Sequence, residues 1–418
     1  MRHHLARRLA MAASAAVLAT LAAGSAAAEV AIVAPAEAGF AAPGVEALKA
    51  EMQSLIDQKK LAGAVTLLAR QGKVVHFEAY GVQDVATGQP TTRDTIYRIA
   101  SMTKPVAGVA MMILWEEGKW SLDDPVSKHI PEFADLKVVT PDGGTEPQAH
   151  PMTMRELMSH TAGFDVSAGY EDDDLQDGDL QAMIDKLAAL PLAVQPGTDW
   201  RYGPSVNIQG YIVEKLSGQS LDDFFRSRIF EPLKMGDTGF HVDAGKLDRV
   251  SAVHTYGPDG QVVPAGDVRP APTSPPTFLS GSGGLFSTAE DYWRFAQMLA
   301  NGGELDGARI LKPETVELMR TNVLAEGVTV DLYGPSQKGV GFGLDFAVIM
   351  DPAAAGTPQG LNSFYWGGAF GTWFWIDPTN DLVFVGMIQN LRGSIPGAGT
   401  PPMRDISPRL VYEALVTP

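Results

Sequence analysis

The chain has 418 residues, of which 49 are acidic and 32 basic for a formal charge of −17, and it contains no cysteine. That acidic balance argues against nucleic-acid or anionic-membrane partners. The missing thiols exclude a disulfide framework, a thiolate nucleophile and a Cys-based metal site.

Residues 1–28 read as an export signal and not as part of the fold. Arg2, Arg7 and Arg8 precede an apolar run over 9–23, and Ser25, Ala26, Ala27 and Ala28 offer small residues for cleavage before Glu29. The expected mature chain, 29–418, carries a charge of about −20 and is long enough for a full core. No later stretch is long enough for an uninterrupted span, so we expect a periplasmic or secreted protein without a stable membrane anchor. The adjacent Arg7 and Arg8 leave the export route open.

Residues 45–61 show helical periodicity through Leu48, Met52, Leu55 and Ile56, and two strand-like runs, 64–69 and 73–80, meet at Gln71-Gly72. A long apolar helix over 106–115 ends near Gly118. From Ser101 to about residue 274 the pattern is mainly helical, with helices over 153–159, 180–190 and 206–217 and long loops between them. The acidic run Glu171 to Asp174, with Asp177 and Asp179, reads as a solvated loop, because it lacks the Gly and closing Glu of an EF-hand. Segments 139–145, 264–277 and 392–402 are rich in Pro, Gly and polar residues and read as loops. A second hairpin, 372–376 with 382–388, turns through Asp377-Pro-Thr-Asn-Asp381, and a helix over 407–416 closes the chain. The predicted fold is α/β: both hairpins in one antiparallel sheet, terminal helices covering it, and a mostly helical lobe over roughly 101–274 inserted between them.

Three short motifs carry chemistry. Ser101-Met-Thr-Lys104 sets a hydroxyl three residues before an amine at the start of the apolar helix, where i and i+3 are neighbours and the helix dipole favours a developing alkoxide. Tyr202 stands just before the 206–217 helix, and Trp366-Gly367-Gly368-Ala369 precedes the 372–376 strand, where glycines let a backbone approach a ligand. Taken singly, each has a bland reading as an N-cap, a packing tyrosine or a bulge.

Together and in this order, with Leu157-Met-Ser-His160-Thr-Ala-Gly163 and Ser282-Gly-Gly-Leu-Phe-Ser-Thr-Ala289, they resemble the serine β-lactamase-like hydrolases. That superfamily includes class C β-lactamases, D-Ala-D-Ala peptidases and family VIII carboxylesterases. The resemblance runs from about residue 45 to 415. It implies a β-lactamase/transpeptidase-like fold, Ser101 as acylated nucleophile, Lys104 as its activating amine and Tyr202 as the group moving protons to the leaving group and from water. It implies an oxyanion hole from the backbone N–H groups of Ser101 and Ala369, and substrate contacts at Trp366, Gly367 and Gly368. It calls for no cofactor and no metal. Free Lys and Tyr titrate at about 10.4 and 10, so one of the two must lose its proton at neutral pH, and the sequence leaves both open.

Two departures bear on substrate. The β-lactamase pattern has Tyr-x-Asn where this chain has Pro204, and a Lys where it has Trp366. A missing cation and a missing side-chain amide disfavour β-lactam or peptide substrates. Asn207 offers an amide at a different offset, and Trp-x-Gly resembles the family VIII esterases. The expected activity is therefore hydrolysis of small carboxylic esters. A β-lactamase or D-amino-acyl peptidase or amidase is the enzymatic alternative, and a catalytically silent binder of peptidoglycan fragments the non-enzymatic one. No Gly-x-Ser-x-Gly or His-Glu-x-x-His occurs. His160 is expected to be a hydrogen-bonded structural histidine at a helix end.

Overall fold

Eight antiparallel strands form one sheet in the order Val340–Phe342, Ala347–Ile349, Phe364–Gly367, Trp373–Asp377, Leu382–Met387, Gly63–Arg70, Lys73–Asp84 and Gln89–Pro90. The computed structural model describes residues 30–165, 175–266, 268–331, 336–391 and 399–416, and the described residues from Ile32 onward belong to one compact unit. The expected export signal, the acidic run 171–174 and residues 392–398 lie outside them.

The two hairpins read from sequence form the middle of this sheet, with Val65 opposite Met387 and Arg70 opposite Leu382. Gln71 and Gly72 both have positive φ, 52° and 72°, which is what a two-residue turn needs to match the twist of its strands. In the other hairpin the buried Asp377 carboxylate accepts from Thr379 N, Asn380 N and Gly360 N at 2.8, 3.2 and 2.9 Å, which fixes the turn through its side chain.

Both faces of the sheet are covered, which explains why strand Gly63–Arg70 is buried almost throughout and does not alternate. On one face, helices Ala42–Asp57 and Met403–Ala414 pack over Leu68, Val75, Trp373, Trp375 and Phe384. The two helices meet at Gly44, where a Cβ would lie 2.5 Å from Ala414 Cα. Ser407 accepts from the indole N–H groups of Trp373 and Trp375 at 3.0 and 3.2 Å, pinning the last helix to the sheet. That helix starts four residues before the expected 407, because Pro408 sits inside it instead of opening it. Its ring removes one backbone donor, a local loss that the packed face outweighs. Helix Ala289–Ala300 covers the opposite face, against the strands at 63–70, 373–377 and 382–387.

Helices Thr103–Glu116, Met154–Met158, Leu180–Ala188 and Ser205–Ser217 lie between the two halves of the sheet in sequence. Helix Met154–Met158 opens on a reciprocal cap, Thr153 Oγ1 taking Glu156 N while Glu156 Oε2 takes Thr153 N. Segment 139–145 was expected as plain loop; its ends belong to a small strand pair, Lys137–Val139 with Thr145–Pro147. The larger departure lies at 364–372. Trp366 and Gly367 end a strand of their own, with Trp366 opposite Phe374 and Gly367 opposite Trp373. Residues 368–372 then turn the chain back through Gly368 N to Thr372 O at 2.7 Å and Gly371 at φ 90°.

A buried polar cluster within the sheet generates a pH prediction. The His76 Nε2 lies 2.7 Å from Thr66 Oγ1 and 3.3 Å from Tyr80 OH. Burial, reinforced by the Lys49 and Arg93 charges, pushes the imidazole down to about 3 from its ordinary 6.5. The unfolded chain takes up a proton here that the folded chain refuses. The stability linked to neutral His76 is therefore complete above pH 6.5 and is lost as pH falls towards 3. Replacing His76 with Asn should flatten the slope of unfolding free energy against pH in that window, measured by urea unfolding at several pH values. An unchanged slope would assign the acid sensitivity to other groups.

Candidate active site

Ser101 sits in a tight 3-10 turn, Ala100–Met102, that runs into helix Thr103–Glu116. Ala100 has φ 44°, a conformation that costs an L residue roughly 1–3 kcal/mol and holds only where the surroundings enforce it. They do so from several sides. Tyr292 donates its hydroxyl to the Met102 carbonyl at 2.9 Å, Ile99 N bonds Leu285 O at 3.0 Å, and Thr372 Oγ1 donates to Ile99 O at 3.1 Å. A Cβ on Gly368 would collide with Ile99 O and Thr372 Oγ1, so only glycine lets the 368–371 turn lie on the backbone beside Ser101. This contact brings the segments carrying the Ser101 and Ala369 N–H groups together.

Lys104, 4% exposed, lies one helical turn on. Its Nζ is 3.3 Å from Ser101 Oγ, donates to the Ser282 carbonyl at 2.8 Å, and stands 4.5 Å from the centre of the Tyr202 ring. The three residues singled out for catalysis therefore meet around one amine. Residue 282 was read from sequence only as part of a motif. Its contribution is a main-chain carbonyl, which no side-chain pattern announces.

Tyr202 is held in a cluster of rings. It lies 4.9 Å from His160, 5.7 Å from Trp200 and 5.7 Å from Trp366, with Phe342 5.4 Å from both tryptophans. The resemblance places a substrate contact at Trp366. The residue is instead 3% exposed, packed between Tyr202 and Phe342 as a wall behind the phenol. Gly367 meets the other side of the sheet, where a Cβ would strike the Arg404 guanidinium.

The ring of His160 is not hydrogen-bonded, contrary to expectation. Among the described residues neither ring nitrogen has a partner, while the main chain turns at φ 59° and accepts Arg201 N at 2.8 Å. Complete burial, and then the Lys104 charge, hold its pKa far below the ordinary value, so the ring is a neutral apolar plate.

Asp345 escaped the sequence reading. It is 1% exposed, at φ 64°, with Oδ1 accepting from Gln209 Nε2 at 3.1 Å and Oδ2 2.8 Å from where a Cβ on Gly108 would stand. Burial raises its pKa well above the usual carboxylate range, against the opposing pull of the Gln209 bond and the Lys104 charge. An acid in Gly-Leu-Asp-Phe reads as a turn residue, and nothing in that pattern marks it as buried.

Asn207 does not replace the missing amide by facing the cleft. Its Oδ1 accepts Ser282 N at 2.9 Å and Ser280 Oγ at 3.0 Å. Among the described residues no cluster of His, Cys, Asp and Glu is arranged to hold a metal, and no helix is long and apolar enough to cross a membrane.

Comparison with known proteins agrees with this geometry. The family model described as Beta-lactamase matches residues 47–399. Protein Rv1367c of Mycobacterium tuberculosis is 36% identical over 360 residues, 82% of this chain and 89% of that protein. Esterase EstB of Burkholderia gladioli is 34% identical over 359 residues, 78% of this chain and 87% of EstB. Among solved structures, "EstCE1, a hydrolase with promiscuous acyltransferase activity" superposes with a TM-score of 0.74 at 26% identity, covering 90% of this chain and 99% of that one. The chain belongs to the beta-lactamase family and is a serine hydrolase of that family.

Proposed function

We propose that the protein cleaves small, uncharged carboxylic esters through an acyl-enzyme on Ser101. The observation that carries this reading is the Lys104 amine set between the Ser101 hydroxyl and the Ser282 carbonyl, beneath the Tyr202 ring. With one N–H held by the Ser282 carbonyl, the Lys104 amine faces the Ser101 hydroxyl as the group that takes its proton. Ser101 Oγ then bonds the ester carbon as its proton passes to Lys104. The oxyanion is held by the Ser101 and Ala369 N–H groups, each such donor being worth about 3 kcal/mol in the transition state. Tyr202 hands a proton to the departing alkoxide and takes one from the water that releases the acid.

The similarity to EstB, an esterase, and to EstCE1, a hydrolase, supports the ester. So does the absence of a cation at position 366, where a β-lactam or peptide carboxylate would look for one. The character of residues 1–28 supports export, which places the activity in the periplasm or outside the cell.

Two predictions test this reading. Ser101→Ala should abolish turnover of a chromogenic short-chain ester and labelling by a fluorophosphonate, with folding intact. Tyr202→Phe should keep the ring packing and lose about 10²–10⁴-fold in turnover, the usual scale of general acid–base catalysis. Wild-type turnover in Ser101→Ala would remove the nucleophile. Absent labelling in the wild type would favour a silent binding protein.

Substrate choice is tested at Trp366. Because the indole is buried against Tyr202, Trp366→Lys should put an ammonium among apolar rings, displace the phenol and lower ester kcat/KM without creating efficient β-lactam hydrolysis. The comparison is kcat/KM for a neutral ester and a cephalosporin in both proteins at one ionic strength. Wild-type cephalosporin hydrolysis exceeding the esterase activity would replace the esterase reading with a β-lactamase.

A further inference from the structure

Lys104 is only as well placed as the carbonyl that holds it. That carbonyl belongs to the loop Ser280-Gly-Ser-Gly-Gly284, which folds on itself through Gly284 N to Ser280 O at 2.9 Å. Two contacts tie the loop to the first turn of helix Ser205–Ser217. A Cβ on Gly281 would stand 2.6 Å from Val206 O, so the loop backbone lies directly on the helix end. One residue later, Asn207 Oδ1 accepts both Ser282 N at 2.9 Å and Ser280 Oγ at 3.0 Å. Asn207 is 7% exposed, and its helix packs along the helix that carries Lys104.

We propose that Asn207 is a positioning residue for the reacting pair: its side-chain oxygen fixes Ser282, the Ser282 carbonyl fixes the Lys104 amine, and the amine is thereby aligned on Ser101. The proposal rests on the Ser101, Lys104 and Tyr202 reading and adds the device that orients its base.

A single acceptor serving two donors explains the residue type. Asp keeps an oxygen for both Ser282 N and Ser280 Oγ, whereas Ala and Leu leave a buried N–H without a partner and free the carbonyl to swing. Because the Asn207 oxygen is engaged on the 280–284 loop, its loss should act on the rate of acylation more than on substrate binding. A shift of about 1 Å in a catalytic group costs up to about 10²-fold.

The test is steady-state hydrolysis of a chromogenic short-chain ester, together with the rate of fluorophosphonate labelling, in Asn207→Ala, Asn207→Asp, Gly281→Ala and Ser101→Ala. Asn207→Ala should lose about 10- to 100-fold in kcat and in labelling rate with KM changed by less than about threefold, and Asn207→Asp should recover most of that loss. Gly281→Ala moves the same carbonyl through the loop's separate contact with Val206 O, leaving the Asn207 side chain unchanged. It should show the same split and stands in for Asn207→Ala if that variant does not fold. An Asn207→Ala protein within about twofold of wild-type kcat, an Asn207→Asp protein as slow as Asn207→Ala, or a loss carried by KM would each overturn the proposal. If Ser101→Ala still labels at the wild-type rate, the nucleophile assignment fails instead; if Ser101→Ala is silent while Asn207→Ala labels normally, only the role of Asn207 falls.

Discussion

A buried amine governs the architecture of the site. Taking an ammonium out of water is expensive unless polar groups replace its hydration, and in practice such a group is held by defined acceptors or sheds its proton. Lys104 has little choice of acceptor: one hydroxyl, one main-chain carbonyl and the face of one phenol ring. Each comes from a different part of the chain, so the 3-10 turn, the 280–284 loop and the residues before helix Ser205–Ser217 must all be in register before the amine is satisfied. The strained Ala100, the glycines at 281 and 368 and the hydroxyl of Tyr292 are the means of that register. Folding and assembly of the reactive pair are thus one event.

Around the amine, burial sets the electrostatics in a consistent direction. His160 is held neutral by desolvation, and Asp345 is driven towards its protonated form by the same cause. The attraction between the Lys104 charge and the Asp345 carboxylate opposes that drift, since each favours the charged form of the other. Both shifts have burial as their largest cause, so the groups packed around the amine share one dry environment. The aromatic cluster contributes by excluding water from the back of Tyr202 while fixing its plane.

Much of this was legible before any coordinates. Helix Thr103–Glu116 announces itself by an unbroken apolar run ending at a glycine of positive φ, and both central hairpins are marked by turn residues whose geometry needs few alternatives. Ser101, Lys104 and Tyr202 were legible through their order along the chain. Strands Val340–Phe342 and Ala347–Ile349 were not, because three residues are too few to display a period. Strand Phe364–Gly367 was not legible either: residues 366–369 read only as a motif preceding the 372–376 strand, and the pairing of Trp366 with Phe374 is what makes them the end of a strand. Ser282 acts through a carbonyl every residue possesses, and Asp345 through burial, which depends on what packs above it. Tertiary context decides both.

On the proposed reading, both departures from the β-lactamase pattern, Pro204 and Trp366, withhold a partner from β-lactam and peptide substrates. Trp366 fills the space behind Tyr202 with an indole, and the oxygen of Asn207 is spent on the loop that carries Ser282. On the proposed reading, a substrate carboxylate entering the site would find no lysine at position 366 to replace its hydration. An acyl-amide would find no side-chain amide at position 204. An uncharged ester loses neither, since its carbonyl needs only the main-chain donors and its alkyl parts gain from apolar surface. Selectivity of this kind comes from withholding partners from the wrong substrate and needs no special contact to the right one. On the proposed reading, partners withheld from the wrong substrate do more for selectivity here than any contact to the acyl group.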